Sequence, residues 1–180
     1  PEVFWAEGRA GFDAFVGNPP FIGGRRIRET LGDAYRSLLY DLWPGSSGNA
    51  DYCAFFFLRG FAHLRTGGAL GLIATNTIAQ GDTRQTGLAQ IEADGGVIYW
   101  AANNTPWPGS AAVVVDVVHV GRGAFAPPFV LDGTAVQHIS SQLDIQETIG
   151  DPFTLISNAE KSFQGSVVVG MGFVLEPDEA

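Results

Sequence analysis

The 180-residue chain is poor in the side chains that hold metals or cross-link folds: it has one cysteine, Cys53, and three scattered histidines, His63, His119 and His138. A lone cysteine makes no internal disulfide, and its setting in an aromatic, helix-like stretch reads as a buried structural thiol. Histidines so dispersed show no metal-ligand spacing, so no metal site is expected. His63 and His119 read instead as surface or core-edge residues. No apolar run approaches the ~20 residues of a membrane span, and no basic, apolar, small-residue leader marks a secretory signal. A reducing, cytoplasmic setting without a membrane fits this set. Positive charge is scarce as well. Ten Lys and Arg stand against nineteen Asp and Glu, a formal net charge of −9, which argues against a broad nucleic-acid-binding face on this segment. No GxGxxG turn occurs, so the usual phosphate-cradling signal of a nucleotide-type cofactor is missing. Gly67-Gly68 and Gly121-Arg122-Gly123 read as caps or turns.

What is present suits a compact fold: 46% hydrophobic residues, 16% charged, 24 Gly and 10 Pro. Asp13 to Val16 is a short apolar strand. A Gly/Arg-rich loop comes next, then a helix pattern from Glu29 to Trp43. NADYCAFFFLRGFAHLR is the clearest helix, capped by Asn49 or Asp51, with apolar residues at Ala54, Phe55, Leu58, Phe61 and Ala62 and a stop at Gly67-Gly68. Ala69 to Thr75 is a second buried strand. Asp82 and Gln85 stand at capping-box spacing and open a helix that ends at Gly95-Gly96. Val97 to Asn103 and Ala111 to Val120 are β-branched or aromatic strands separated by the loop NTPWPGS. This alternation predicts an α/β fold with a parallel sheet, in which the last strand pairs antiparallel. After Gly121 the pattern turns to short strand-like pieces, read as a linker and the start of another module. The chain begins at Pro1 and breaks off after EPDEA, and reads as a piece of a longer protein.

The stretch GNPPF, residues 17–21, comes directly after the first strand. Pro19 and Pro20 lack backbone donors and have fixed φ, so they stop the sheet ladder and stiffen the loop. A rigid loop at the carboxyl end of a central strand is where α/β sheets place ligands. The Asn18 amide oxygen and the Pro19 carbonyl are both acceptors. Together they suit the two hydrogens of an exocyclic amine, whose lone pair they can aim at an electrophile. Phe21 suits stacking on a flat base.

FDAFVGNPPF resembles the catalytic motif of N6-adenine DNA methyltransferases. PEVFW before it and NADYCAFFFLRGFAHLRTGGALGLIATNTIAQGD after it extend the match. So do the Trp-Pro-Gly-Ser loop before AAVVVDVVHV and the segment KSFQGSVVVGMGF. Together these resemble the γ-type, large single-chain bacterial methyltransferases, including MmeI-like fused restriction–modification enzymes and phage-defence methylases. The resemblance implies part of a Rossmann-like class I methyltransferase sheet, with residues 1–122 the NPPF-containing catalytic half. Residues 123–180 would be a linker and the start of a target-recognition region.

It implies S-adenosylmethionine as methyl donor, its main binding motif expected upstream of this chain, and double-stranded DNA with a flipped adenine as partner. By resemblance, Asn18 and the Pro19 carbonyl bind the adenine amine, Phe21 stacks on the base, and Gly17 and Pro20 shape the loop. Trp107 stands where the family adds a second wall to the base pocket, with Trp100 behind it; packing roles for both remain open. Asn76 and Gln80 either line the cleft or serve capping and turn formation. Arg25 and Arg26 either contact DNA phosphate or form a solvated pair. Lys161 and Gln164 fall at the start of the target-recognition region. Three other readings stay open: a protein-glutamine N5-methyltransferase, which uses a similar loop; N4-cytosine methylation; and a non-catalytic recognition or scaffold module with the same fold.

Overall fold

The computed structural model describes residues 10–107 and 113–146. The chain divides into two compact units, Pro1–Ile149 and Gly150–Ala180, and all described residues belong to the first. PEVFW, KSFQGS with Lys161 and Gln164, and the Pro108–Ala112 part of the second loop lie outside them.

The first strand, β1 (Phe12–Gly17), is succeeded by helices α1 (Gly24–Leu31), α2 (Asp33–Leu42) and α3 (Tyr52–His63). Strand β2 (Leu64–Thr75) leads through a 3-10 turn, Asn76–Ala79, into α4 (Gly81–Thr86) and α5 (Leu88–Ala93). Strands β3 (Gly96–Pro106), β4 (Val114–Arg122), β5 (Phe129–Leu131) and β6 (Thr134–Val136) complete the order. One six-stranded sheet holds them all, in the spatial order β1-β2-β4-β3-β5-β6. β1 pairs parallel with β2, β4 pairs antiparallel with both β2 and β3, and β5 returns parallel to β3. The α/β reading with a last antiparallel strand is therefore observed. That strand is inserted inside the sheet. VVDVVHV is apolar on both faces, and a strand of that kind is stable when covered by two neighbours and two layers.

Glycine explains where the helices depart from expectation. The predicted single helix over 29–43 is two, because Gly32 sits at φ 88° between them. The helix predicted from Asp82 is likewise two, and begins after Gln80 without a side-chain cap. At its break a Cβ on Gly87 would lie 3.2 Å from both the Ala54 Cβ and the Thr83 carbonyl oxygen. α3 ends at His63, and Gly67-Gly68 lie inside β2. There the register shifts between Phe12 and Ala14, where residues 65–68 of β2 stand opposite the single residue Asp13 of β1. A Cβ on Gly68 would stand 2.8 Å from the Phe12 carbonyl oxygen, so glycine permits that close pairing.

α3 carries the core. Asp51 caps it, its carboxylate accepting from the Cys53 amide at 3.0 Å, and Phe57, Phe61, Ala54 and Leu58 are buried. These pack in one cluster with Leu70, Leu72 and Ala74, which alternate along β2, with Val118 and Val120 of β4, and with Leu88 and Ile91 of α5. Tyr99 and Phe125 pack against that cluster and stack on each other with ring centroids 5.0 Å apart, and Trp100 stacks on His119 at 4.6 Å. Gly71 makes room for the imidazole: a Cβ there would be 2.9 Å from His119 Cδ2.

Candidate active site

Strand direction decides which residues meet. Since β1 is parallel to β2, and β3 reaches the same direction through two antiparallel steps across β4, the carboxyl ends of all three share one end of the sheet. Asn18 to Phe21 follow β1, Asn76 to Gln80 follow β2, and Trp107 follows β3. Asn18 to Phe21, Asn76, Gln80 and Trp107 are thus gathered on one rim, whereas Arg25 and Arg26 lie in α1. Trp107 is half-buried and its amide donates to the Val113 carbonyl at 3.0 Å, which ties it to the entry of β4. Asn76 and Gln80 are exposed. Asn76 starts the 3-10 turn, and Gln80 stands at the amino end of α4, its backbone carbonyl accepting from the Arg84 amide at 3.0 Å. Trp100 lies farther back, in mid-sheet against His119.

The NPPF loop is fixed from both sides. Gly17 is in register with Leu72, Pro19 is buried, and past the loop the Ile22 carbonyl accepts from the Tyr52 amide at 2.9 Å. Between these anchors Asn18, Pro20 and Phe21 are exposed, Phe21 at 38%. No hydrogen bond engages the Asn18 carboxamide among the described residues, so its acceptor is available. Beside Asn18 opens a cavity of about 320 Å³, bounded by the loop, by Phe15 and Val16, and by Phe56, Arg59 and His63 of α3.

Phe56, Arg59 and His63 entered no sequence-based site, although their i, i+3 and i+7 spacing places them on one helix face. The signal was masked because α3 is apolar nearly all round. Burial, reinforced by Arg59, holds the His63 imidazole below its ordinary pKa. Behind the rim, the buried Cys53 thiol is pushed up chiefly by burial, with the Asp51 charge adding to it, and lies 4.0 Å from the Thr75 hydroxyl. A thiol held protonated there is a packing group rather than a nucleophile. Asp116, one residue in from the rim on β4, is buried and its carboxyl raised by that burial, although it accepts from the Asn104 amide at 2.8 Å. Among the described residues no group of three or more His, Cys, Asp or Glu comes together. No described helix is long and apolar enough to cross a membrane.

The sequence profile of the Eco57I restriction-modification methylase family matches residues 1–92, the segment that carries β1, the NPPF loop, α3 and β2. The chain belongs to the Eco57I family. No curated protein matches it by sequence. Among solved structures, this Eco57I-family chain is similar to the type IIL restriction-modification enzyme MmeI, solved in complex with DNA. The TM-score is 0.61 at 17% identity, over 76% of this chain and 20% of that one. It is also similar to a putative class I S-adenosylmethionine-dependent methyltransferase from Listeria monocytogenes. Here the TM-score is 0.50 at 12% identity, over 67% of this chain and 36% of that one. The shared fold is that of the class I methyltransferases, and this chain spans a fifth of the length of the first of these two proteins and about a third of the second.

The donor set beside Asn18 bears on a cofactor of that class. The cavity wall is mostly apolar and includes no carboxylate to take ribose hydroxyls, and no glycine-rich strand–turn–helix is among the described elements. These residues make an apolar wall beside Asn18 and do not fit a complete binding site for such a cofactor.

Proposed function

We propose that this chain is the catalytic half of an S-adenosylmethionine-dependent DNA methyltransferase. It acts on the N6 amine of a flipped-out adenine within a bacterial restriction–modification or phage-defence enzyme. The observation that supports this most strongly is the NPPF loop: the free Asn18 amide oxygen and the Pro19 carbonyl on a loop anchored at both ends, with an exposed phenylalanine, at the carboxyl end of a strand in a chain of the Eco57I family.

The Asn18 Oδ1 and the Pro19 carbonyl oxygen accept the two amine hydrogens. An aromatic amine delocalises its lone pair into the ring and is a poor nucleophile. Holding both hydrogens in fixed positions takes that pair out of conjugation with the ring and localises it on nitrogen, directed towards the incoming methyl group. S-adenosylmethionine, when bound, supplies a methyl group on sulfonium sulfur, which leaves as a neutral thioether. The amine nitrogen forms the new N–C bond and then releases one proton to solvent. Phe21 stacks on the extruded base and Trp107 bounds the pocket from the β3 side, so extrusion is offset by new contacts. Asn76 and Gln80 line the cleft between them, and Arg25 and Arg26 take DNA phosphate.

Replacing Asn18 with Ala in the enzyme that contains this chain tests the reading. Loss of one preorganised group lowers single-turnover methylation by ~10²–10³, about 3–4 kcal/mol, with thermal melting unchanged because Asn18 is exposed and unbonded. Phe21→Ala weakens base capture as well, by roughly 1–3 kcal/mol. A stable Asn18→Ala enzyme with turnover within a few-fold of the parent sinks the mechanism.

A further inference from the structure

Four of the ten basic residues of this acidic chain fall between residues 25 and 36, against only Glu29 and Asp33 in the same stretch. Two cavities lie beside them. One, of about 270 Å³, is lined by Gly23, Gly24, Arg25, Arg26 and Asn49. The other, of about 280 Å³, shares Gly24, Arg25 and Asn49 and adds Arg28, Arg36 and Gly48. We propose that these two joined cavities form a seat for consecutive backbone phosphates of the DNA strand that carries the target base. The proposal rests on the methyltransferase reading and adds to it a defined groove, with Arg28, Arg36 and Asn49 as new members.

The groove is built and charged. Arg25 and Arg26 are exposed and, among the described residues, have no ion pair or side-chain hydrogen bond, so their guanidinium donors are uncommitted. Arg28 spends one edge on Asp33 at 2.7 Å, and Arg36 gives its Nε to the Tyr40 hydroxyl at 3.0 Å. Each keeps further N–H groups of the five a guanidinium carries. Gly48 leaves the space that Arg36 occupies: a Cβ there would be 3.2 Å from Nη2. Asn49 is free to face the groove because Asp51 caps α3. The opposite wall is locked to it, since a Cβ on Gly24 would lie 2.4 Å from the Asn49 carbonyl carbon. Gly23 is two residues after Phe21, a reach of at most about 7 Å along the chain. A phosphate in the groove therefore lies beside a base held at Phe21. The scarcity of positive charge elsewhere makes this patch the electrostatic handle of an otherwise repulsive surface.

The test measures the salt dependence of binding of mixed-sequence duplex DNA to the enzyme containing this chain, by fluorescence anisotropy. Each guanidinium on a phosphate contributes about 0.9 to the slope of log K against log salt. The Arg25→Gln/Arg26→Gln variant is expected to lose about two units of slope, and Arg25→Lys/Arg26→Lys to regain them. Asn49→Ala is expected to weaken binding with the slope unchanged, since an amide displaces no counterion. Arg65→Gln, at the opposite end of the sheet, keeps both. Circular dichroism melts verify that each variant is folded. If the enzyme methylates DNA but the glutamine variant binds with the parental slope and affinity, the seat is overturned and the methyltransferase reading stands. If the variant loses slope in an enzyme that transfers no methyl group, the seat stands and the reading of the chemistry falls.

Discussion

Adjacent glycines at the start of α1 make a matched pair that isolates what holds the NPPF loop in place. Gly24→Ala puts a Cβ 2.4 Å from the Asn49 carbonyl carbon and 2.6 Å from the Ala50 carbonyl oxygen, both backbone atoms. Neither can rotate away. α1 must move until these distances reach at least the 3.4 Å of ordinary contact, and Ile22, two residues earlier, is tied to Tyr52 by a 2.9 Å hydrogen bond. Overpacking of this kind costs ~1–3 kcal/mol. At ~2–4 °C per kcal/mol for a chain of this size, the melting temperature falls by about 2–12 °C. Gly23→Ala meets nothing within 4 Å, and its φ of −54° suits any residue. There the reduced freedom of the unfolded chain, ~0.4–1 kcal/mol, roughly offsets a weaker helix cap. Thermal melting by circular dichroism, beside single-turnover methylation, should show Gly24→Ala losing both stability and rate while Gly23→Ala keeps both. Equal melting temperatures for the two variants would refute the argument that this contact sets the loop's position.

Two further outcomes concern buried groups. Asp116 has its carboxyl raised by burial, so the unfolded chain ionises first. The penalty for folding with the charge is absent at acid pH and grows as pH rises from the ordinary carboxylate range through the raised folded value. Asp116→Asn keeps an acceptor for the Asn104 amide and removes that penalty, so its melting temperature relative to the parent should climb from pH 4 to pH 7; a flat difference refutes it. Phe57→Ala empties a fully buried site in α3 and should cost ~3–5 kcal/mol, read as a lowered denaturant midpoint in equilibrium unfolding.

The strands were legible because their signals are local: runs such as AAVVVDVVHV have few other ways to be stable. The gathering of Asn18, Asn76 and Trp107 on one rim came from the α/β alternation, since parallel strands put their carboxyl ends together. Glycine was the weak point. Gly67-Gly68 have the appearance of a helix stop, and only the approach of the Phe12 carbonyl to Gly68 reveals that they serve a bulged strand. Gly32 and Gly87 each interrupt a pattern whose apolar spacing continues across the break. The Asp82–Gln85 spacing fits a capping box, yet α4 starts one residue earlier at Gly81, where φ is +45°. The groove at Arg25 and Arg36 depends on Gly24 packing against Asn49, a pairing across 25 residues that sequence spacing does not encode.

β1 is one edge of the sheet among the described residues, and Val16 projects from it at 91% exposure. An uncovered edge strand presents a row of open amides and carbonyls, a template on which another extended chain can lay itself down. Here that template is short, only six residues, and it ends at the two prolines, which cannot extend the ladder. The pair that stiffens the loop therefore also sets where pairing along this side of β1 ends, whichever strand takes it up.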